Sequence, residues 1–379
     1  MVDVFRYHRW ILRFYGVSFP GDIKNRWLRH LPDLYLIFQL TCSYVWAGLL
    51  FWAFYRYTYD NFLRRILGVT AGMTITASSA KYIYCRVRVR VLKEVMDELT
   101  SVPNDTLTGR IVVGVIKFFI GSVVMILVSH YAVDPFIGGF HRPIPNWGAT
   151  DDGPWEEILP EYLFNAYSAC VAVPGNVVGD TLFLLLCSQL CRRIRILSNT
   201  VGYIGSGTWE PGRSDVIQVG GRVDDDRLIE VCVQEHCRLV KIKEKIEYIY
   251  EKILLIQLMF SVFENCITLF AISQADDMFE AVRQLLPQFV ALYLEIFMYC
   301  WAGEMVKNNF DRLHGTAYGC KWNTCSEKTK TSLLIMQTFT TRPVQITAWI
   351  FCLDFEFFQA IMSQTMSYFT VMYELFNTK

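Results

Sequence analysis

Seven stretches of this chain are almost free of charged residues, and each is long enough to cross a bilayer as a helix. Leu34 to Tyr55 carries no Asp, Glu, Lys or Arg; Ile66 to Cys85 has only Lys81, Ile111 to Val133 only Lys117, and Tyr162 to Cys191 only Asp180. Ile253 to Ala275 has only Glu264, Gln284 to Val306 only Glu295 and Glu304, and Pro343 to Tyr373 only Asp354 and Glu356. A hydrocarbon layer of roughly 30 Å takes about 20 apolar residues of helix, and lipid cannot satisfy an open backbone. Thr70, Thr74, Thr76, Ser78 and Ser79 make the second stretch the most dilute. Soluble core helices are normally shorter and keep a polar face. The chain therefore reads as an all-α membrane protein with seven transmembrane helices.

Composition agrees. Of 379 residues, 53% are hydrophobic and only 19% charged, against about 25% charged in an ordinary soluble domain. Lys plus Arg and Asp plus Glu both number 36, so there is no basic excess for a nucleic-acid partner. The basic residues are unevenly placed: 27 precede span 1 or lie in the connections 2–3, 4–5 and 6–7, six lie on the other side, and Lys81, Lys117 and Arg342 fall at membrane depth. The side with few bases is acidic, with Asp134, Asp151, Asp152, Glu156, Glu157, Asp276, Asp277 and Glu280. The positive-inside rule then predicts an intracellular amino terminus and an extracellular carboxyl terminus. That is the inverse of G-protein-coupled receptors. All twelve cysteines fall in spans or inner connections, as free thiols in a reducing compartment would. The sequon at Asn104 is then cytosolic and expected to be unglycosylated.

Several local features refine this outline. Met1 to Arg13 has no apolar core of signal-peptide length, and Trp10, Ile11 and Phe14 form one face of an interfacial helix. The stretch from Gly202 to Asp226, rich in glycine and ending in Asp224-Asp225-Asp226, is expected to be a mobile loop. Arg227 to Lys252 alternates apolar and charged positions and continues span 5 as a helix beyond the membrane. The outer loop Asp134 to Pro160, with five prolines, four glycines and Phe136, Phe140, Trp147 and Trp155, suits either a compact lid or an exposed linker. Pro174 and Gly175 interrupt span 4 and would let it bend around a cavity. Arg342-Pro343 splits span 7 into an inner helix, about Glu327 to Thr341, and a spanning helix from Val344.

Short motifs near the end of the chain are more specific. They are Cys300-Trp301-Ala302-Gly303-Glu304, Ala317-Tyr318-Gly319-Cys320-Lys321-Trp322, Leu333-Leu334-Ile335-Met336-Gln337, Arg342-Pro343 and Ser367-Tyr368-Phe369-Thr370-Val371. In order and spacing the chain resembles the insect odorant receptor family, and it resembles the related gustatory receptors less well between spans 6 and 7. The resemblance implies a ligand-gated, nonselective cation channel of four subunits, in which a tuning subunit binds the odorant beside a co-receptor subunit. The shorter connection between spans 4 and 5 makes this chain similar to a tuning subunit. It further implies five segments: residues 1–32, a cytosolic re-entrant or interfacial segment; 33–200, spans 1 to 4 with a ligand-binding outer half; 201–252, a cytosolic loop and extended helix; 253–341, spans 5 and 6 with the inner part of span 7 as a cytosolic anchor; and 342–379, the pore-lining helix and extracellular carboxyl terminus. The expected setting is the plasma membrane of olfactory sensory dendrites.

At about 100° per residue, Val371 shares a helix face with Leu353, Phe357, Ala360, Gln364, Ser367 and Leu375, with Glu374 at its edge. A wetted pore takes modest polarity and an apolar ring that closes by dewetting. By resemblance Val371 and Leu375 form the constriction and Glu374 faces the cations; on the residues alone, Gln364 and Ser367 suit an ordinary packed helix equally well. Asp354 and Glu356, at membrane depth, either attract cations into an inner vestibule or pair with basic groups. The family places its ligand among the outer halves of spans 2, 3, 4 and 6. The candidates are Ile66, Thr70, Met73 and Thr74, then Ile126, Leu127, His130 and Tyr131, then Phe164, Tyr167, Ser168 and Val171, and finally Phe289 and Tyr293. Their aromatic content suits a small planar volatile, although each residue equally fits plain helix packing.

No His-Glu-x-x-His, phosphate loop or Gly-x-Ser-x-Gly occurs, and Cys320 with Cys325 lacks further ligands for zinc. No enzyme, cofactor or metal is expected. A metabotropic seven-helix receptor would need the opposite polarity, and a secondary transporter would show repeats and paired broken helices.

Overall fold

The computed structural model describes residues 5–19, 30–56, 62–100, 107–128, 155–207, 215–217, 224–275, 278–341 and 344–377. Ten helices lie among them: α1 Arg6–Phe14, α2 Leu31–Arg56, α3 Phe62–Val87, α4 Val89–Leu99, α5 Leu107–Val128, α6 Trp155–Gly202, α7 Asp225–Ser273, α8 Met278–Gly319, α9 Glu327–Thr340 and α10 Phe355–Asn377. Each charge-poor stretch falls on one of α2, α3, α5, α6, α7, α8 and α10. Among the described residues, Leu31–Trp52, α7 and Leu285–Gly319 are long and apolar enough to cross a membrane by length and mean hydropathy alone.

The long helices outrun the lipid. α6, α7 and α8 have 48, 49 and 42 residues, and their continuations pack as a bundle of ordinary soluble type. Leu182, Leu186, Leu190, Ile194 and Leu197 of α6 face Leu239, Ile242, Ile246 and Ile249 of α7 and Val306, Phe310, Leu313 and Ala317 of α8, all buried at spacings of three and four. α9 adds Leu333 and Met336. α4, which no feature of the sequence outline anticipated, adds Leu92, Val95, Met96 and Leu99. Glu98 of α4 accepts from Lys245 at 2.9 Å and Arg238 at 3.4 Å on α7. Partial burial alone would raise the Glu98 carboxyl, but these two bases hold it below the usual carboxylate range.

Several boundaries differ from expectation. The acidic run read as loop is the start of α7: Asp224 accepts from the Arg227 amide at 3.1 Å as N-cap, and Asp225 and Asp226 occupy the first turn, where the helix dipole favours negative charge. The run also ties elements together. Asp225 accepts from the Gly205 amide at 3.1 Å, and Asp226 accepts from the hydroxyls of Ser326, the α9 N-cap, and Thr329. Those hydroxyl bonds hold the Asp226 carboxyl below its ordinary range. Gly205, at φ +74°, lets the backbone approach so closely that a Cβ would lie 2.1 Å from the Lys321 carbonyl oxygen. Of the rest of the expected mobile loop, residues 203–207 and 215–217 form turns after α6, and 208–214 and 218–223 lie outside the described residues, as do most of the 134–160 loop and Asn104; α6 already begins at Trp155.

α6 runs through Pro174 and Gly175 without a break, contrary to the expected interruption, because neighbouring helices in a membrane bundle can re-satisfy a freed carbonyl. α1 is helical as expected. Trp10 and Phe14 stack on its exposed side with centroids 6.0 Å apart, but Ile11 packs half-buried on the core with Phe5, Leu12 and Tyr15.

The largest correction concerns span 7. Arg342-Pro343 lies outside the described residues, α9 ends at Thr340, and the spanning helix starts at Phe355 instead of Val344. Between them Thr347–Ala348 pairs antiparallel with Phe351–Cys352. The exposed Trp349, at φ 60°, turns this short hairpin, and the Thr347 amide donates to Glu247 of α7 at 2.9 Å. β-branched Val344, Ile346 and Thr347 suit such a hairpin.

Candidate functional site

The ligand candidates divide between described and undescribed places. Ile66, Thr70 and Met73 of α3 are buried. Ile66 packs on Ala271 of α7 and Leu285 of α8, and the Thr74 hydroxyl donates to the Thr70 carbonyl at 3.0 Å and meets Glu264 of α7 at 3.3 and 3.4 Å. This face of α3 thus addresses α7, which was not among the expected lining helices. Phe289 and Tyr293 of α8 form an edge-to-face pair 4.6 Å apart. Tyr167 of α6 is exposed. Ile126, Leu127, Phe164, Ser168 and Val171 lie on α5 and α6, but their side chains are outside the described residues, as are His130 and Tyr131.

α10 has two unlike sides. Ile361 and Thr365 are buried, and the Thr365 carbonyl accepts from the Cys266 thiol of α7 at 3.6 Å. Gln364, Ser367, Val371, Glu374 and Leu375 are all exposed in the single chain, Val371 at 55% and Leu375 at 63%. The outer part of the expected stripe is therefore turned away from the chain's own packing, but Phe357 is half-buried against the core and stacks on Phe351 with centroids 5.2 Å apart. Leu353 precedes the helix and is buried against Gly303 of α8, so it is not part of the stripe.

Asp354 is not a free charge at mid-membrane. It is the α10 N-cap, accepting from the Phe357 amide at 2.9 Å, and it pairs with Lys307 at 3.5 Å. Glu356 is exposed in the first turn. Of the two earlier readings of Asp354, pairing with a base is the one the geometry shows.

A cluster missing from the sequence reading lies at the centre. Lys81 of α3, Asn176 and Asp180 of α6, and Glu295 and Tyr299 of α8 are all buried. The Lys81 ammonium uses its three protons on Asn176 at 2.5 Å, Asp180 at 2.6 Å and Glu295 at 2.8 Å. The Tyr299 hydroxyl donates to Asp180, and Phe183 packs edge-on against the Tyr299 ring at 5.8 Å. Ionisable groups from three separate spans thus meet across three helices, with one ammonium shared between two carboxyl groups; pairing of this kind is usual for ionisable groups inside a membrane protein. Among the described residues, no three His, Cys, Asp or Glu side chains gather as ligands for a metal ion.

Comparison with known proteins gives consistent matches. The 7tm odorant receptor family matches residues 61–366. Odorant receptor 33b of Drosophila melanogaster is 25% identical over 304 residues, covering 76% of this chain and 78% of that protein. Odorant receptors 13a and 2a of the same species are 22% and 24% identical, and the chain spans only 53% and 58% of their lengths. The olfactory receptor OR5 of Machilis hrabei superposes with a TM-score of 0.78 at 14% identity, covering 97% of this chain and 96% of that one. Its structure in complex with eugenol gives 0.78 at 15% identity, covering 98% and 97%.

Proposed function

Since the chain belongs to the insect odorant receptor family, an all-helical, multi-pass membrane fold without enzymatic activity, we propose that it is the ligand-tuning subunit of a heteromeric, nonselective cation channel. It assembles with a co-receptor subunit into a tetramer in the plasma membrane of olfactory sensory dendrites, amino terminus inside and carboxyl terminus outside. Its ligand is a small volatile held in the outer half of the bundle by Thr70, Met73, Phe289, Tyr293 and the neighbouring candidates of spans 3 and 4. The aromatic content of that region, and a related receptor solved with eugenol, favour a planar aromatic compound. Gln364, Ser367, Val371, Glu374 and Leu375 line the pore, with Val371 and Leu375 as the constriction.

The observation that carries this reading is the two-sidedness of α10. Ile361 and Thr365 hold the helix to α7 while the mixed polar and apolar stripe finds no cover within one chain. A stripe of that composition is suited to face the matching helices of neighbouring subunits around water. Expressing the chain with and without a co-receptor, while applying volatiles under voltage clamp, tests it. Fast inward current that needs both chains is expected; second-messenger changes without current would reject the channel reading.

A further inference from the structure

A further buried carboxyl group, Glu264, is not hydrogen-bonded to Lys81 and, unlike Asp180, Glu295 and Asp354, has no base of its own. Along α7, Gln257, Ser261, Glu264, Asn265 and Thr268 are each exposed by 3% or less, at spacings that keep them along one side of the helix. α3 carries Thr70, Thr74, Ser78 and Lys81 at similar spacings, also buried or nearly so. Ile66 lies beside Ala271 and Thr74 beside Glu264, so the two helices run antiparallel and bring these polar rows together through the interior of the bundle.

Much of this seam is unsatisfied. The Oδ1 and Nδ2 of Asn265, the Oγ1 of Thr268 and the Oε1 of Gln257 are buried without hydrogen-bond partners. Both oxygens of Glu264 meet the hydroxyl of Thr74, at 3.3 and 3.4 Å, and that hydroxyl also donates to the Thr70 carbonyl at 3.0 Å. Natural proteins leave few buried polar groups unpaired, and such groups commonly mark bound water or ions. Charge points the same way: in this part of the bundle Asp180, Glu264 and Glu295 stand against Lys81, which Asp180 and Glu295 already share.

We propose that the α3–α7 seam binds a sodium ion, held by the Glu264 carboxylate with Thr74, Asn265 and Thr268 as neutral oxygen ligands. Hard cations take oxygen ligands of this kind. One carboxylate among amide and hydroxyl oxygens matches a single positive charge, and the short side chains between directly packed helices suit a small ion. The bound cation supplies the counter-charge that Glu264 lacks and a partner for the Asn265 and Thr268 oxygens. Cys266, next in sequence to Asn265, touches Thr365 of α10, so occupancy of this site stiffens the helix against which the last helix rests.

The test is the thermal unfolding midpoint of the purified full-length chain in detergent, at fixed ionic strength, in sodium, potassium or choline chloride. A saturable rise in sodium, absent in choline and smaller in potassium, is expected. Glu264→Gln should abolish it. Thr268→Val, which keeps the shape and removes one oxygen, should weaken the apparent sodium affinity at least tenfold. Equal midpoints in the three salts, or a sodium-dependent rise that Thr268→Val leaves unchanged, would overturn the proposal. The readout involves no ionic current, so it stands or falls separately from the channel reading.

Discussion

Lys81 shows what a single residue contributes and why its role was hidden. The few charges of spans 2, 4 and 6 are plain in the sequence, but Lys81 is 99 residues from Asp180 and 214 from Glu295, and only the packing of three helices reveals that they meet. Removing one member of a buried ion group strands the others at a cost of about 3–5 kcal/mol. Lys81→Met is expected to lower the unfolding midpoint sharply and to deplete surface protein, measured by biotinylation, while joint replacement of Lys81, Asp180 and Glu295 by Met, Asn and Gln restores much of the loss. His8 gives a second residue-scale prediction. Its Nε2 shares a hydrogen bond with the Thr181 hydroxyl at 3.0 Å, its Nδ1 is buried without a partner, and burial lowers its pKa to about 4. The folded value lies below the unfolded one, so the docking of α1 is fully supported above about pH 6.5 and loses support as pH falls toward 4. Hydrogen exchange of residues 6–14, corrected for intrinsic rates, should show faster opening at pH 5 than at pH 7, and His8→Phe should flatten the difference.

At the scale of elements, the hairpin before α10 depends on Gly303. A Cβ there would lie 2.0 Å from the Leu353 carbonyl oxygen and 2.8 Å from the Leu353 Cβ, and backbone cannot yield that far. Gly303→Ala should displace the hairpin and start of α10, giving poor surface expression and small currents; normal expression with wild-type currents would contradict the close approach. Asp354→Ala should cost about 1 kcal/mol through the lost cap, seen as a lower unfolding midpoint. The end of the inner helix, at Thr340, was legible because a proline shortly follows. The restart was not, because Val344 to Leu353 is as apolar as a span and hydropathy does not distinguish a hairpin from a helix. The signal that could have placed it was Asp354 itself, an acceptor just ahead of a helical apolar pattern. The Asp224 to Asp226 run is ambiguous for the same reason: acidic residues suit a loop, and equally cap and open a helix, as they do for α7. α4 is masked in the sequence because basic residues between spans 2 and 3 interleave with its apolar positions, which recur every three or four residues.

For the whole molecule, each of the seven charge-poor stretches falls on a long helix among the described residues, because lipid imposes its demand on composition alone. Which faces meet was not legible: the α3 candidates turn toward α7, and the polar seam between those helices has no signature in either one separately. In the assembled channel, Val371→Cys is expected to react with a charged, water-soluble thiol reagent and to block current, while Ile361→Cys, buried against the bundle, should be inert; the reverse pattern would place the pore on another face of α10. The lengths of α6, α7 and α8 have a practical corollary. At 1.5 Å per residue they measure about 63–74 Å, roughly twice a bilayer's oily thickness. A detergent belt therefore girdles only part of each rod and leaves a protruding mass of protein, a built-in handle by which single particles can be oriented in electron micrographs without an added antibody fragment.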